Sequence, residues 1–191
     1  MSEANEQAVA TRRLVRTSLA RINDVVGSDR VHIAEPEAVL RSKNVPSLQL
    51  LELLSMSGGL TLDLNVDGEP FQLRLHSSTE IASETQFLQL ILTENRASDP
   101  ELLDQLQSGS SVDLVKWQQG LLVFATVEGE ADVFVLDTLS GASGEEPQVL
   151  RLAHGLYFAS VINEYAVIDR WSDLLAFLND IIENPGQLGP T

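Results

Sequence analysis

The segment from Leu60 to Leu75 most constrains the fold, because it predicts a two-stranded hairpin in a single register. Two alternating apolar runs, residues 60–66 and 69–75, flank the dipeptide Asp67-Gly68. A two-residue Asp-Gly turn of type I′ is the strongest short-range hairpin signal, and it places Val66 opposite Glu69. The same register makes one face apolar and the other polar. The apolar pairs are Leu64 with Phe71, Leu62 with Leu73 and Leu60 with Leu75, and the polar face is Thr61, Asp63, Gln72 and Arg74.

Three helices are predicted before the hairpin. Residues 6–26 place Val15, Leu19, Ile22 and Val26 on one stripe, and a short helix is expected from Pro36 to about Lys43. Ser47 to Met56 is apolar nearly all round, which predicts a buried helix, and Gly58-Gly59 predicts a positive φ at its exit. The arginines of the first helix are expected to form a solvated face or to neutralise an acidic body; they are Arg12, Arg13, Arg16 and Arg21.

The rest of the chain predicts further helices and strands. A polar link at residues 76–80 leads to a short helix whose apolar side is Phe87, Leu90 and Ile91, and Asp99-Pro100-Glu101 opens a helix towards Gly109. The apolar run at residues 121–127 predicts a strand covered on both faces, and residues 133–136 and 149–153 predict two more. A final helix is expected behind a cap at Ser172. The prediction is one α+β domain with a central, mainly antiparallel sheet flanked by helices.

Negative charge is concentrated after residue 43. Residues 1–43 hold 7 of the 12 Lys and Arg residues and 6 of the 28 acidic ones, whereas residues 44–191 hold 5 basic and 22 acidic residues, net −17. Such a field repels nucleic acid and anionic membranes and speeds association with a basic protein. The charge therefore predicts no nucleic-acid and no membrane partner. It is equally compatible with a role in solubility alone.

Composition indicates a cytoplasmic protein. The chain has no cysteine, which agrees with a reducing compartment and leaves no disulfide or thiolate metal site. No stretch approaches the about 18 consecutive apolar residues of a membrane span, and the opening residues lack a basic start followed by an apolar run.

No catalytic or metal-binding motif is recognisable. The three histidines, His32, His76 and His154, are far apart in sequence. Ser57-Gly58-Gly59 lacks the frame of a serine nucleophile turn, and residues 141–144 have no lysine to reach a phosphate. The carboxylates at residues 128–132 lack the spacing of a calcium loop. The sequence predicts no enzyme activity, no metal and no cofactor.

The order of these elements resembles the SUKH superfamily, the Smi/Knr-like domains. The resemblance covers residues 35–183 and is carried by four segments in sequence order. They are the helix after Pro46 that ends in Gly58-Gly59, the link Ser77 to Ile81 after the hairpin, the strand at Gly129 to Asp137, and the closing Trp171 to Leu178. On this division, residues 1–34 form an N-terminal helix and lead-in, and residues 184–191 form a flexible tail.

The resemblance implies a non-catalytic protein-binding module. Bacterial members are often immunity proteins that neutralise polymorphic toxins, frequently nucleases, and fungal members regulate cell-wall assembly. An acidic surface suits a basic nuclease, because it can occupy a cleft that selects phosphate charge. The candidate partner-binding residues are Asp67 and Glu69 on the hairpin tip, and Glu128, Glu130 and Asp132 on the second turn.

Two alternatives stay open. One is an acidic protein, similar to a secretion chaperone, that holds an effector through exposed apolar grooves. The other is a regulatory Smi/Knr-like scaffold. The sequence predicts neither the identity of the partner nor the oligomeric state.

Overall fold

Seven antiparallel strands form one sheet in the computed structural model of the chain. The structure describes residues 3–36, 47–66, 68–128, 132–140, 145–153 and 166–188. The strands of this part of the chain are β1 (Val31–Ile33), β2 (Leu60–Val66), β3 (Glu69–Leu75), β4 (Leu121–Glu128), β5 (Val133–Asp137), β6 (Gln148–Leu152) and β7 (Val167–Trp171). The α-helices are α1 (Glu3–Val26), α2 (Leu48–Met56), α3 (Ser78–Ser98), α4 (Pro100–Gly109), α5 (Leu114–Gln119) and α6 (Leu174–Glu183). The fold is α+β in a single domain, as predicted.

Each strand pairs with the next one along the chain, so the sheet is an antiparallel meander in the order β1 to β7. The predicted hairpin register is confirmed at every position, from Val66 opposite Glu69 to Leu60 opposite Leu75. The strands predicted near residues 121, 133 and 149 are also present as β4, β5 and β6. The edge strands β1 and β7 and the short helix α5 were not predicted.

Helices α1, α2 and α6 cover one face of the sheet and enclose the larger core. Val15 and Ile22 of α1 are both 0 % exposed there, together with the apolar side chains of the β2–β3 hairpin. The ring of Phe177 in α6 lies 5.4 Å from Phe124, 5.0 Å from Phe134 and 5.1 Å from Trp171 between ring centroids. This aromatic cluster, in tilted and edge-to-face contacts, fixes α6 against strands β4 to β7.

On the other face, helices cover only part of the sheet. Side chains of α3 and α5 pack with those of β4, β5 and β6 in a second core, which contains Leu88, Trp117 and Val135. A register shift between Val123 and Ala125 marks a bulge in β4, and the Val123 amide donates to the Thr85 hydroxyl of α3 at 3.0 Å. No helix of the described ranges packs on the half of this face that belongs to β1, β2 and β3.

Polar side chains cap the helices; the cap predicted at Asp99 is present, and the one predicted at Ser172 is corrected. Ser47 caps α2 by accepting from the Leu50 amide at 3.0 Å, and Asp99 caps α4. The closing helix is capped by Asp173, which accepts from the Ala176 amide at 2.9 Å, rather than by Ser172. An aspartate placed one residue later satisfies the first free amides equally well.

The helix after the hairpin is longer than predicted, and its buried face is different. It spans 21 residues behind a capping box in which Ser77 and Glu80 bond each other's backbone amides. Ile91 is buried as expected, but Phe87 and Leu90 are 52 % and 54 % exposed. The prediction that these two form the apolar side is wrong, because Ile81, Leu88 and Leu92 take that place.

The predicted positive φ after α2 occurs at Gly59, where φ is +129°. The helix itself ends at Ser57 in an extended conformation, so Gly59 sits at the start of β2 instead of in a left-handed helix cap. A Cβ at Gly59 would lie 3.1 Å from the Leu75 carbonyl oxygen. Both the backbone angle and the close approach of β3 therefore favour glycine.

The segments on either side of residues 35–183 are tied to the fold. Arg12 of α1 binds Glu52 of α2 at 2.6 Å, and Arg21 binds Glu183 of α6, so each of these two arginines compensates one carboxylate of the acidic body. Residues Pro185–Leu188, expected in a flexible tail, form a 3-10 helix that contacts α6 and β2. The short helix predicted over residues 36–43 falls almost wholly outside the described residues.

Candidate protein-binding surface

The uncovered half of the sheet carries a set of polar side chains that we call the open face. It arises from the alternation of strands β1 to β4, because the residue that follows each inward apolar residue along the strand points to the other side. In register, Thr61 and Arg74 lie on adjacent strands in one row, and Asp63 and Gln72 lie in the next. The open face consists of His32, Thr61, Asp63, Gln72, Arg74, Thr126 and Glu128.

Asp63 is held in the centre of the open face by hydrogen bonds to both of its oxygens. The Gln72 side-chain amide donates to Oδ1 at 2.7 Å, and His32 Nε2 lies 3.0 Å from Oδ2. Both bonds lower the pKa of Asp63, and the bond from Gln72 has the larger effect. The carboxylate is thus negative and fixed in position while it remains half-exposed to solvent.

Arg74 connects the open face to the start of α3. Its guanidinium forms an ion pair with Glu80, which also accepts from the Ser77 amide at 2.9 Å within the capping box. The pKa of Glu80 is lowered by the bonds from Ser77 and by the charge of Arg74, against the opposing effect of burial. The positive charge of Arg74 is therefore largely compensated, and Asp63 and Glu128 leave the open face negative.

A shallow cleft of about 500 Å³ crosses the open face near the hairpin tip. Arg30 lines one end and Glu128 the other, with Asp63 and Gln72 between them. The pairing of Gln72 with Glu128 places these last two side chains next to each other on β3 and β4. The cleft could accept a basic side chain from a partner, because two carboxylates line it and only Arg30 opposes them.

The hairpin tip and the end of β4 lie at the same end of the sheet. Glu69 begins β3 and Glu128 ends β4, and antiparallel pairing of these strands brings both to one edge, where both are exposed. Strand alternation puts Glu128 on the open face and directs Glu69 to the opposite side. Two predicted partner-binding residues thus share an edge of the molecule, on different faces of the sheet.

Asp132 does not belong to this exposed edge. It is 5 % exposed, and its Oδ2 accepts from Arg151 Nε at 2.8 Å and from a terminal guanidinium nitrogen at 2.6 Å. Arg151 is 1 % exposed and also lies 3.6 Å from Asp169 of β7. The prediction of Asp132 as a surface residue is wrong, because this carboxylate compensates a buried arginine. Asp67 and Glu130 lie outside the described residues.

No catalytic arrangement is found in the part of the chain that the structure describes. No group of three or more His, Asp or Glu side chains there is placed to hold a metal ion. The Ser57 hydroxyl is buried and donates to the Leu53 carbonyl at 3.1 Å, which is a structural role. His32 belongs to the Asp63 network, and His154 lies outside the described ranges.

Sequence reasoning found the polar side of the hairpin but did not assign binding to it. The hairpin register predicts one polar face with Thr61, Asp63, Gln72 and Arg74. The candidate site, in contrast, consists of carboxylates at the turns. The missing information was that, on this face, the described helices lie over β4 to β6 and not over β1 to β3, which depends on tertiary packing. No protein-family model, curated protein or solved structure matches this chain. Among the described residues, no helix combines the length and apolar character needed to cross a membrane.

Proposed function

We propose that this protein is a non-catalytic binding module that neutralises a basic, nuclease-type toxin, as its resemblance to the SUKH superfamily implies. The observation that carries the proposal is the open face. No helix of the described residues lies over half of one sheet surface, and Asp63 is fixed there beside a cleft that ends at Glu128. An uncovered sheet face with ordered carboxylates offers a partner a flat, pre-organised and negative surface.

The charge of the whole chain supports the same kind of partner. A net charge of −16 attracts a basic protein over a distance, and the carboxylates at the edge of the sheet would then fix its orientation. Charges at the rim of an interface act mainly on the association rate, and salt screens them with a Debye length of about 8 Å at physiological ionic strength. The proposal includes a cytoplasmic location and no enzymatic role.

The proposal is tested by capturing the partner and then measuring kinetics. The wild-type chain is used as bait in the cells that make it, beside Glu69→Lys/Glu128→Lys and a control with the same charge change, Asp24→Lys/Asp104→Lys. The control residues are exposed on α1 and α4. We expect the wild type and the control to bind and inhibit a basic, folded toxin domain. The Glu69→Lys/Glu128→Lys variant should bind the same domain with a slower association rate.

Salt gives the second measurement for the same partner. Association with the wild type should slow markedly between low and physiological salt, and the difference between the two charge variants should shrink. The proposal would be contradicted if the association rate changed neither with salt nor on reversal of the charges at Glu69 and Glu128. The acidity would then serve solubility, and the partner surface would be apolar.

One observation favours the secretion-chaperone alternative. Phe87 and Leu90 form an exposed apolar pair on α3 beside a groove of about 500 Å³. A chaperone would bind an unfolded segment of its effector through such grooves. This alternative would be favoured over toxin neutralisation if the captured partner were an effector that binds only when it is unfolded. The variant Phe87→Ser/Leu90→Ser should then no longer bind that effector.

A further inference from the structure

Two arginines of α1 have no acidic partner among the described residues. Residues 7–23 contain four arginines and no carboxylate, in a chain whose net charge is −16. Two of the four are paired with carboxylates of α2 and α6. Arg13 and Arg16 are exposed, and no described residue forms an ion pair with either. Two positive charges on the outward side of α1 are therefore left uncompensated by the described part of the fold.

Both of these arginines line a groove on α1. The groove has a volume of about 440 Å³, and Val9 and Ala20 line it together with Arg13 and Arg16. These four residues follow one another at spacings of four, three and four positions, so they form one row along the helix. Val9 is 62 % exposed, and the other three are exposed as well. We call this row of apolar, positive, positive and apolar side chains the α1 groove.

We propose that the α1 groove binds a short acidic helix of a partner protein, in which two carboxylates lie between two apolar side chains. Arginine can hold a carboxylate through two parallel charge-assisted hydrogen bonds, which are stronger than bonds between neutral groups. The spacing of the row is the same when it is read from either end. A partner helix with that spacing therefore places its carboxylates at Arg13 and Arg16, and its apolar side chains at Val9 and Ala20, in either direction.

The charge of the rest of the molecule determines the kind of occupant. Residues 44–191 carry 5 basic and 22 acidic residues, and their field repels a long polyanion such as nucleic acid that extends beyond α1. Salt screens this repulsion beyond about 8 Å, so a segment with only two carboxylates meets little of it. A second copy of the chain would bring its own acidic body and is disfavoured for the same reason.

The α1 groove and the open face lie on opposite sides of the sheet. Helix α1 covers the face that carries the main core, whereas the open face is on the other one. One chain can therefore bind a basic partner and an acidic helix at the same time. The proposal does not depend on toxin neutralisation, because none of its four residues belongs to the open face.

The test uses two alanine-based helical peptides that carry leucine at positions i and i+11. One peptide has glutamate at i+4 and i+7, and the other has glutamine at both. Binding is followed by the backbone amide chemical shifts of Arg13, Arg16 and Ala20, with those of Thr61 and Gln72 as the control for the open face. We expect the glutamate peptide to bind the wild type about tenfold more tightly than the glutamine peptide at low salt, with the shifts confined to α1.

Two charge variants separate the α1 groove from the net charge of the chain. Arg13→Glu/Arg16→Glu should abolish the preference for the glutamate peptide. Lys116→Glu/Arg170→Glu makes the same charge change at exposed residues of α5 and β7, and it should keep that preference. The proposal is overturned if the glutamate peptide shifts no amide of α1, or if both charge variants lose the preference alike.

A second pair of variants tests the apolar ends of the row. Val9→Ser should weaken the binding of both peptides, whereas Val25→Ser should not, because Val25 is 58 % exposed on the same helix but does not line the groove. Equal effects of the two substitutions would overturn the proposed seat. The proposal is also overturned if a single-stranded oligonucleotide displaces the glutamate peptide from α1, or if sedimentation shows a dimer that Arg13→Glu/Arg16→Glu dissociates.

Discussion

At the scale of single residues, two neighbouring carboxylates have opposite roles. Glu128 is exposed at the end of β4, whereas Asp132 is buried against Arg151. Asp132→Ala should cost about 3–5 kcal/mol of unfolding free energy, because it leaves a buried charge without this partner. Glu128→Ala should change the stability by no more than about 0.5 kcal/mol. The unfolding free energies of the two variants are compared with that of the wild type by urea unfolding.

A double substitution checks the reason for that loss. Asp132→Leu/Arg151→Met removes both charges and replaces them with apolar side chains, so it should be clearly more stable than Asp132→Ala. If the double variant were as unstable as the single one, the loss would come from packing around residue 132 and not from the unpaired charge.

His76 is a second buried ionisable residue, and it makes stability depend on pH. It is 6 % exposed, and neither ring nitrogen has a hydrogen-bond partner among the described residues. Burial lowers the pKa of His76, while Glu80 and Glu84 partly oppose that effect. The unfolded chain, with a histidine pKa of about 6.5, therefore takes up a proton before the folded chain does. Stability should be complete above that pH and should fall as the pH drops below it.

The test for His76 compares the wild type with His76→Gln and His76→Leu. Neither variant can take up this proton, so both should lose less stability than the wild type between about pH 7.5 and pH 5.5. The three chains share every carboxylate, so the difference between them reports the imidazole together with its effect on Glu80, whose pKa the His76 charge helps to lower. Parallel urea-unfolding curves for the three proteins across this range would contradict the prediction.

At the scale of elements, the β2–β3 hairpin separates a core face from the open face. Leu64 is buried opposite Phe71, whereas the adjacent Asp63 is half-exposed. Leu64→Asp should cost about 3 kcal/mol or more, because it puts a charge into the core. Asp63→Leu should cost less than about 1 kcal/mol, since it removes one part-buried and one exposed hydrogen bond of a half-exposed carboxylate. Equal losses in thermal unfolding would mean that the faces are assigned wrongly.

The same hairpin shows what the sequence can predict. A period of two residues and an Asp-Gly turn are local signals, so they gave the register of both strands. Strand β1 has only three residues, which is too few for a period, and it becomes a strand by pairing with β2. In α3, Phe87 and Leu90 are apolar but exposed, so the sequence pattern does not show which apolar residues form the buried side that contacts the sheet. The burial of Asp132 depends on strands β5, β6 and β7 coming together, which no local pattern contains.

At the scale of the whole molecule, α1 packs into the same core as the helices and strands that follow it. Its inner side fills the main core with Val15 and Ile22, and two of its arginines reach Glu52 and Glu183. The Arg21–Glu183 pair is about half exposed, and such pairs contribute little to stability, whereas Glu52 of the other pair is buried. Apolar burial and the Arg12–Glu52 pair are therefore the main contacts that hold α1 in the fold.

Two substitutions on α1 measure that burial. Ile22→Ala should cost about 2–5 kcal/mol, because it leaves a cavity in the main core. Leu14→Ala removes a side chain of the same size from the exposed side and should cost no more than about 0.5 kcal/mol. Unfolding in urea compares them with the wild type, and similar small losses would mean that α1 does not belong to the core.

Removal of residues 1–27 tests the division of the chain at residue 34. The deletion takes away all of α1 and uncovers the apolar side chains of α2 and α6 that pack against it. We expect the shortened chain to lose cooperative thermal unfolding and to bind a dye for exposed apolar surface, because the remaining core faces water on one side. If the shortened chain unfolded in one sharp transition, residues 35–183 would form a self-sufficient domain with α1 as an addition to it.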